Sequence, residues 1–157
     1  MNCFALLRRE RNHNINNIDS IVSTGEVFSM SKKLIIPKDG PPAVGPYSPA
    51  VAANGFLFVS GQIPLNPKSG ELVLNSFEAQ VRQTLDNLRC VLKAGGASLD
   101  DVVKVTIFVT DLGKFGELNA IYEEYFGESK PARATVEVAA LPKGVEVEMD
   151  ATAALSN

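Results

Sequence analysis

The sequence predicts an α+β domain in which two helices lie on one face of a mixed β-sheet. Two segments repeat apolar residues at helical spacing, several others are β-branched or alternate apolar with polar residues, and together they run ββ(β)αβαββ along the chain. Helices that connect strands in this order should gather on the same side of the sheet. The opposite face then has no helix of its own, so its apolar side chains should be buried by self-association and an oligomer is expected.

The first elements are read from turn chemistry. Pro41, Pro42, Gly45 and Pro46 forbid regular structure through 40–46, making a stiff loop that leads to Tyr47-Ser48-Pro49. Ala50 to Ala53, the dipeptide Asn54-Gly55, then Phe56 to Ser60 read as a hairpin, because Asn-Gly supplies the positive φ angles of a tight turn. Gly61 is expected to end the second strand, and 64–70 is a loop rich in turn residues. Asn75 or Ser76 can cap the first helix, with Glu78 completing a capping box if Asn75 is the cap. Val81, Leu85, Leu88 and Leu92 form its apolar stripe, and Gly95-Gly96 stops it.

The segment Val102 to Val109 is β-branched and apolar enough to be a central strand, ended by Asp111. A second helix over about 114–126 carries Phe115, Leu118, Tyr122 and Tyr125 on one side. Two last strands, about 133–139 and 145–153, flank the turn Leu141-Pro142-Lys143-Gly144 and read as a hairpin.

Composition bounds the function. With 157 residues, 45% hydrophobic and 21% charged, the chain is the size of one domain with a core of its own, here about 31–157. No apolar run approaches the ~18 residues of a membrane-spanning helix. The net charge of −3 and a pI near 5.2 argue against a broad nucleic-acid footprint, which needs clustered Lys and Arg. His13 is the single histidine, and Cys3 and Cys90 are the two cysteines, too few for a structural zinc site, a Ser-His-Asp triad or a Cys-His pair in the body of the chain. Two distant cysteines do not make a disulfide scaffold, so a reducing compartment, the cytoplasm, is expected.

Residues 1–30 hold five asparagines and no sustained apolar period, and read as an extension. The patch Ala5 to Arg11 resembles the start of an organellar transit peptide, which would place the protein in a mitochondrion or plastid, although Glu10, Asp19 and Glu26 argue against it. The alternatives are a disordered extension or a true start at Met30.

Few residues are candidates for chemistry. Arg133 opens a strand after Lys130-Pro131-Ala132, where its planar guanidinium can meet a carboxylate with two parallel hydrogen bonds; an ordinary surface also carries such arginines. Glu146, Glu148, Asp150 and Thr152 alternate with Val147, Met149 and Ala151, while Arg133, Thr135 and Glu137 alternate with Ala134 and Val136. If the two strands are neighbours, their polar rows face one place; an amphipathic hairpin with no further role has the same pattern. Tyr47, held between prolines, carries a hydroxyl that can donate and accept, and Gly61 after Ser60 permits close approach of backbone to a ligand. Composition and spacing stop at an oligomeric domain with a possible anion pocket.

The combined motifs go further. Gly45-Pro46-Tyr47-Ser48-Pro49-Ala50, Val59-Ser60-Gly61-Gln62-Ile63-Pro64, Asn119-Ala120-Ile121-Tyr122, Pro131 to Val138, Leu141-Pro142 and Val147 to Ala151, in this order over about 32–155, closely resemble the RidA (YjgF/YER057c/UK114) family of reactive intermediate and imine deaminases. The resemblance implies a chorismate-mutase-like fold, a homotrimer with a barrel-like core, and ligand clefts between subunits. It also implies cofactor-free and metal-free hydrolysis of 2-iminobutanoate and 2-iminopropanoate, the reactive products of PLP-dependent dehydratases. By the same resemblance Arg133 binds the substrate carboxylate and Glu148 activates the attacking water, while Tyr47, Ser60, Gly61, Asn119 and Thr135 match further pocket positions. Many archetypal members have Ser-Cys after the arginine where this chain has Ala134-Thr135, so any role for a thiol there is lost. Relatives that bind small metabolites, or that inhibit translation or cleave RNA, supply the alternatives; loss of the arginine would favour the first, and the acidic pI argues against the second.

Overall fold

The computed structural model describes residues 32–43 and 45–156, so the extension over 1–30, with its targeting reading, lies outside the described residues. Six strands form one sheet: β1 (Lys33–Ile35), β2 (Ala50–Ala53), β3 (Phe56–Gln62), β4 (Val102–Val109), β5 (Ala132–Glu137) and β6 (Val147–Ala154), in the spatial order β1-β2-β3-β6-β4-β5. Neighbours are antiparallel except β4 and β5, which are parallel and joined by a helical crossover, as a parallel pair requires. Helices α1 (Phe77–Ala94) and α2 (Phe115–Phe126) make the second layer.

The local rules hold where the chemistry is local. Asn54 and Gly55 adopt φ of 50° and 76°, the positive angles that close the β2–β3 hairpin. The Ser76 hydroxyl caps α1 by accepting from the Ala79 N–H at 3.1 Å. Glu78 is therefore one position too early for a capping box and instead pairs with Arg82 at 2.9 Å. Gly95 and Gly96 end the helix, Gly96 with φ of 86°.

Three expectations are corrected. The strand does not end at Gly61 but runs on to Gln62 through an irregularity described below. Strand β1 is too short for any periodicity to announce it, and exists because it pairs with β2 and buries Ile35. The last two strands are not a hairpin: β4 lies between them, paired in parallel with β5 and antiparallel with β6. The apolar β4, read as a central strand, stands one place in from the edge of the sheet, with a partner on both sides.

The core lies between α1 and the sheet. Val81, Leu85, Leu88 and Leu92 are fully buried against β3 and β6, where Leu57, Val59, Met149, Ala151 and Ala153 face them. Each such side chain contributes about 1.5–3 kcal/mol by leaving water. In α2 the buried residues are Leu118, Ile121, Tyr122 and Phe126; Phe115 is exposed and Tyr125 only half-buried, so the packing stripe is rotated from the one the sequence predicts. A second tie joins distant segments: Gln80, buried on α1, donates to Glu146 Oε2 at 2.8 Å and accepts from the Glu146 N–H at 2.9 Å, and Lys114 also pairs with Glu146.

The face opposite the helices exposes Leu34, Phe56, Phe58 and Val136, the uncovered apolar surface that the two-layer reading anticipates.

The end of α1 sits directly on β3. A Cβ added to Gly95 would lie 2.7 Å from Leu57 Cδ1, and Leu57 is fully buried with no room to move. Gly95→Ala should therefore destabilise the fold by about 1–3 kcal/mol, although alanine suits the helical backbone there. Urea unfolding checks this; an unchanged midpoint would show that the contact relaxes freely.

Candidate functional site

The sheet carries a cavity on each side. The first, about 550 Å³, is built around a bulge in β3. Val59 is opposite Ala151 and Gln62 opposite Met149, so Ser60 and Gly61 together stand against Asp150, one residue more than the partner strand provides. The Ser60 hydroxyl donates to Ser48 O at 2.7 Å and the Ser60 N–H to Pro49 O at 2.9 Å. These two bonds fasten the proline-rich loop to the bulge and set Tyr47 at the rim of the cavity.

Glu148 lies across from the bulge on β6. A Cβ at Gly61 would be 2.9 Å from Glu148 Cδ and closer still to Oε1, so glycine is what lets this carboxylate rest against the backbone of β3. The close approach anticipated at Gly61 is thus made by a side chain of the protein itself. Partial burial pushes the Glu148 carboxyl above its ordinary range, and the charge of Asp150, two residues along on the same face, adds to the rise. Prolines of the loop with Ile63 and Leu65 form an apolar side of the wall, and Gln62 and Lys143 add polar groups to it.

The second cavity, about 440 Å³, is lined by Asn119, Tyr122, Glu123, Lys130 and Arg133. The Arg133 guanidinium lies 4.7 Å from the Tyr122 ring centroid and 5.6 Å from that of Phe115. It forms no ion pair with a carboxylate among the described residues. Glu137, on the same face of β5, is engaged elsewhere, accepting from the Leu112 N–H at 2.7 Å. The hydroxyls of Tyr122 and Thr135 are buried without a hydrogen-bond partner. Burial pushes the Tyr122 phenol up to about 12, against the opposing pull of Arg133.

The expected site residues therefore fall into two groups. Tyr47, Ser60, Gly61 and Glu148 line one cavity, Asn119 and Arg133 the other, and Thr135 is the next residue on Arg133's face. The polar rows of β5 and β6 do not face one place. In register, Arg133 sits beside Val105 and Ala151 on the helix side, whereas Glu148 sits beside Phe108 and Val136 on the open side. The sequence reading also missed that Phe115 and Tyr122 hold Arg133, having taken both for the packing stripe of α2; nothing in their spacing distinguishes the two roles. Among the described residues no group of three or more His, Cys, Asp or Glu could hold a metal ion, and no helix is long and apolar enough to cross a membrane.

Comparison with known proteins adds a family. The family model described as "Endoribonuclease L-PSP" matches residues 37–155. The chain belongs to this family, known also as the YjgF, RutC or Rid family. A RutC family protein of Pyrococcus horikoshii is 49% identical over 122 residues, covering 78% of this chain and 97% of that relative. A mouse 2-iminobutanoate/2-iminopropanoate deaminase is 44% identical over 125 residues, covering 80% of this chain and 93% of its own length. Among solved structures, TdcF of E. coli with bound serine superposes with a TM-score of 0.75 at 38% identity, covering 79% of this chain and 99% of that one.

The raised carboxyl has a stability consequence for this Rid protein. Folded Glu148 holds its proton more tightly than the unfolded chain, whose ordinary value is 4.5, so its contribution to stability is greatest at low pH and falls as pH rises through the folded value. Glu148→Gln keeps the shape and removes the titration. Its stability relative to the unsubstituted protein should rise between about pH 4 and pH 7 in urea unfolding. A difference independent of pH would contradict the burial argument.

Proposed function

We propose that the protein is a 2-iminobutanoate/2-iminopropanoate deaminase, hydrolysing the reactive imines that PLP-dependent dehydratases release. One observation carries this reading. Arg133 is a half-buried guanidinium held by two aromatic rings, and it forms no ion pair with a carboxylate among the described residues. A ligand carboxylate fits that vacancy in the charge balance with two parallel hydrogen bonds. The mouse relative bears the name of this activity, and the serine held by TdcF is itself an amino acid with such a carboxylate.

Arg133 would fix the substrate carboxylate, with Asn119 and Thr135 beside it. Glu148, ionised, would accept a proton from water as the water oxygen bonds to the imine carbon. From the protonated imine this gives a neutral carbinolamine; Glu148 then returns the proton to its nitrogen and takes up the hydroxyl proton as the C–N bond breaks, releasing ammonia and leaving the 2-keto acid. A raised carboxyl pKa makes Glu148 a stronger base for that first transfer. Tyr47 would close the cavity with its hydroxyl toward the substrate, and the Ser60-Gly61 bulge would hold the carboxylate base in place. Alignment of this kind is worth up to roughly 7–11 kcal/mol of barrier without any cofactor.

Arg133 and Glu148 lie on opposite sides of one sheet, so a single chain does not bring them together. The site is then shared: the Glu148 cavity of one subunit meets the Arg133 cavity of the next, in a homotrimer whose uncovered sheet faces, with Phe56 and Phe58, are buried in its centre. The serine-bound relative also favours a second reading, a metabolite-binding protein that uses the same arginine without turnover.

The test adds purified protein to a threonine dehydratase reaction and follows the imine's lifetime by semicarbazide trapping. The unsubstituted protein should shorten it, and Arg133→Ala should lose roughly 100-fold in kcat/KM. If lifetime is unaffected while 2-oxobutanoate still binds, the second reading replaces the first. Sharing of the site has its own check. Arg133→Ala and Glu148→Gln, each strongly impaired alone, are unfolded and refolded together in equal amounts, and about a quarter of the interfaces should then pair two intact halves. No recovery of activity would place both halves in one chain's site.

A further inference from the structure

The buried stripe of α1 is interrupted by an amide. Asn87 is 2% exposed and lies between Leu85 and Leu88, both fully buried. Asparagine is a poor helix former, and a buried amide costs stability unless its hydrogen bonds are made, so neither the helix nor the core accounts for it. Its bonds do. The Asn87 Nδ2 group donates to Ile63 O at 2.9 Å and to Leu65 O at 2.8 Å, and Oδ1 accepts from Gln83 Nε2 at 2.9 Å. Both donors and the acceptor are satisfied, two of the three bonds going to one short stretch of chain.

That stretch is the wall of the Glu148 cavity. Residues 63–65 follow the bulge in β3 and leave the sheet, with Leu65 held to Leu72 by an isolated bridge. Ile63 and Leu65 line the cavity on its apolar side. Without Asn87 the Leu65 carbonyl would have no hydrogen-bond partner among the described residues, and the Ile63 carbonyl would keep only the Leu65 N–H at 2.7 Å. The geometry points to Asn87 as a positioning residue: it touches no substrate, but it ties the Ile63–Leu65 wall to the rigid helix and so sets the space left for the substrate's side chain opposite Glu148. The substrate in this inference is that of the deaminase reading, on which it rests.

A wall held out of place weakens binding more than it slows chemistry, because Glu148 is carried by β6 and the Gly61 bulge rather than by the wall. Asn87→Ala should raise KM for 2-iminobutanoate roughly 10-fold with kcat changed less than about 2-fold, and weaken binding of 2-oxobutanoate in calorimetry by a similar factor. Amide exchange should quicken over 63–66. Val91→Ala serves as the comparison: it trims the same helix's buried face at a residue that does not line the cavity, and should lower thermal stability while leaving KM unchanged.

The inference is overturned if Asn87→Ala leaves both KM and the 2-oxobutanoate affinity within about 2-fold of the unsubstituted protein, or if Val91→Ala raises KM as much. Should the unsubstituted protein hydrolyse no imine, the deaminase reading falls on its own, and the affinity for 2-oxobutanoate decides this one: weakened in Asn87→Ala it stands, unchanged or undetectable in both it falls. Ile63→Ala, which shortens the wall itself, carries the same expectation if Asn87→Ala does not fold.

Discussion

Strand β6 pairs with β3 on one edge and β4 on the other, and most of what the molecule can do follows from those two ladders. Its residues alternate without a break. Val147, Met149, Ala151 and Ala153 are buried beneath the helices, while Glu148, Asp150 and Thr152 look the other way. Pairing with β3 brings Glu148 to the bulge at Ser60-Gly61. Pairing with β4 pushes β5, and Arg133 with it, two strands away. A one-residue slip of β6 would bury Glu148 and Asp150 and expose the core row, so the hydrophobic pattern fixes the register and the register fixes the site.

Elements governed by nearby residues were legible in the sequence. The Asn54-Gly55 turn, the Ser76 cap, the stripe of α1 and the β-branched run of β4 each rest on chemistry within a few positions, and each appears as that chemistry dictates. The failures share a different character. Reading β5 and β6 as a hairpin assumed that strands adjacent in sequence pair, but the edges of β4 offered a longer apolar seam to both. The rotated face of α2 has the same origin: Phe115 stands over Arg133 at the sheet edge instead of in the core, a contact set by the crossover and not by helical period.

The family resemblance supplied the candidate residues as a set and said nothing of their arrangement. A period of two tells which residues of one strand share a face, and nothing about which face that is relative to a strand it does not touch. Arg133 and Glu148 both alternate with apolar neighbours, yet the register through β4 puts them on opposite sides. Asn87 shows the converse case. An amide in the middle of a buried helical stripe is a visible anomaly in the sequence, but its meaning depends on Ile63 and Leu65, more than twenty residues earlier, arriving beneath it.

The separation of Arg133 and Glu148 has an electrostatic logic. Placed in one cavity of one chain, a guanidinium and a carboxylate would pair, lowering the carboxyl pKa and occupying the fork that a substrate needs. With the sheet between them each keeps an unmet requirement: Arg133 has aromatic rings but no ion-paired carboxylate among the described residues, and Glu148 has a partly desolvated carboxylate beside another acid, Asp150. In the proposed reaction a small molecule carrying a carboxylate at one end and a water-accepting imine carbon at the other would answer both at once. The protein would then spend no binding energy on breaking an internal ion pair, and the proposed base would stay strong until the substrate arrives. The same division explains why a fold without histidine in its described residues, and with its one described cysteine on a helix away from both cavities, is sufficient for the proposed reaction.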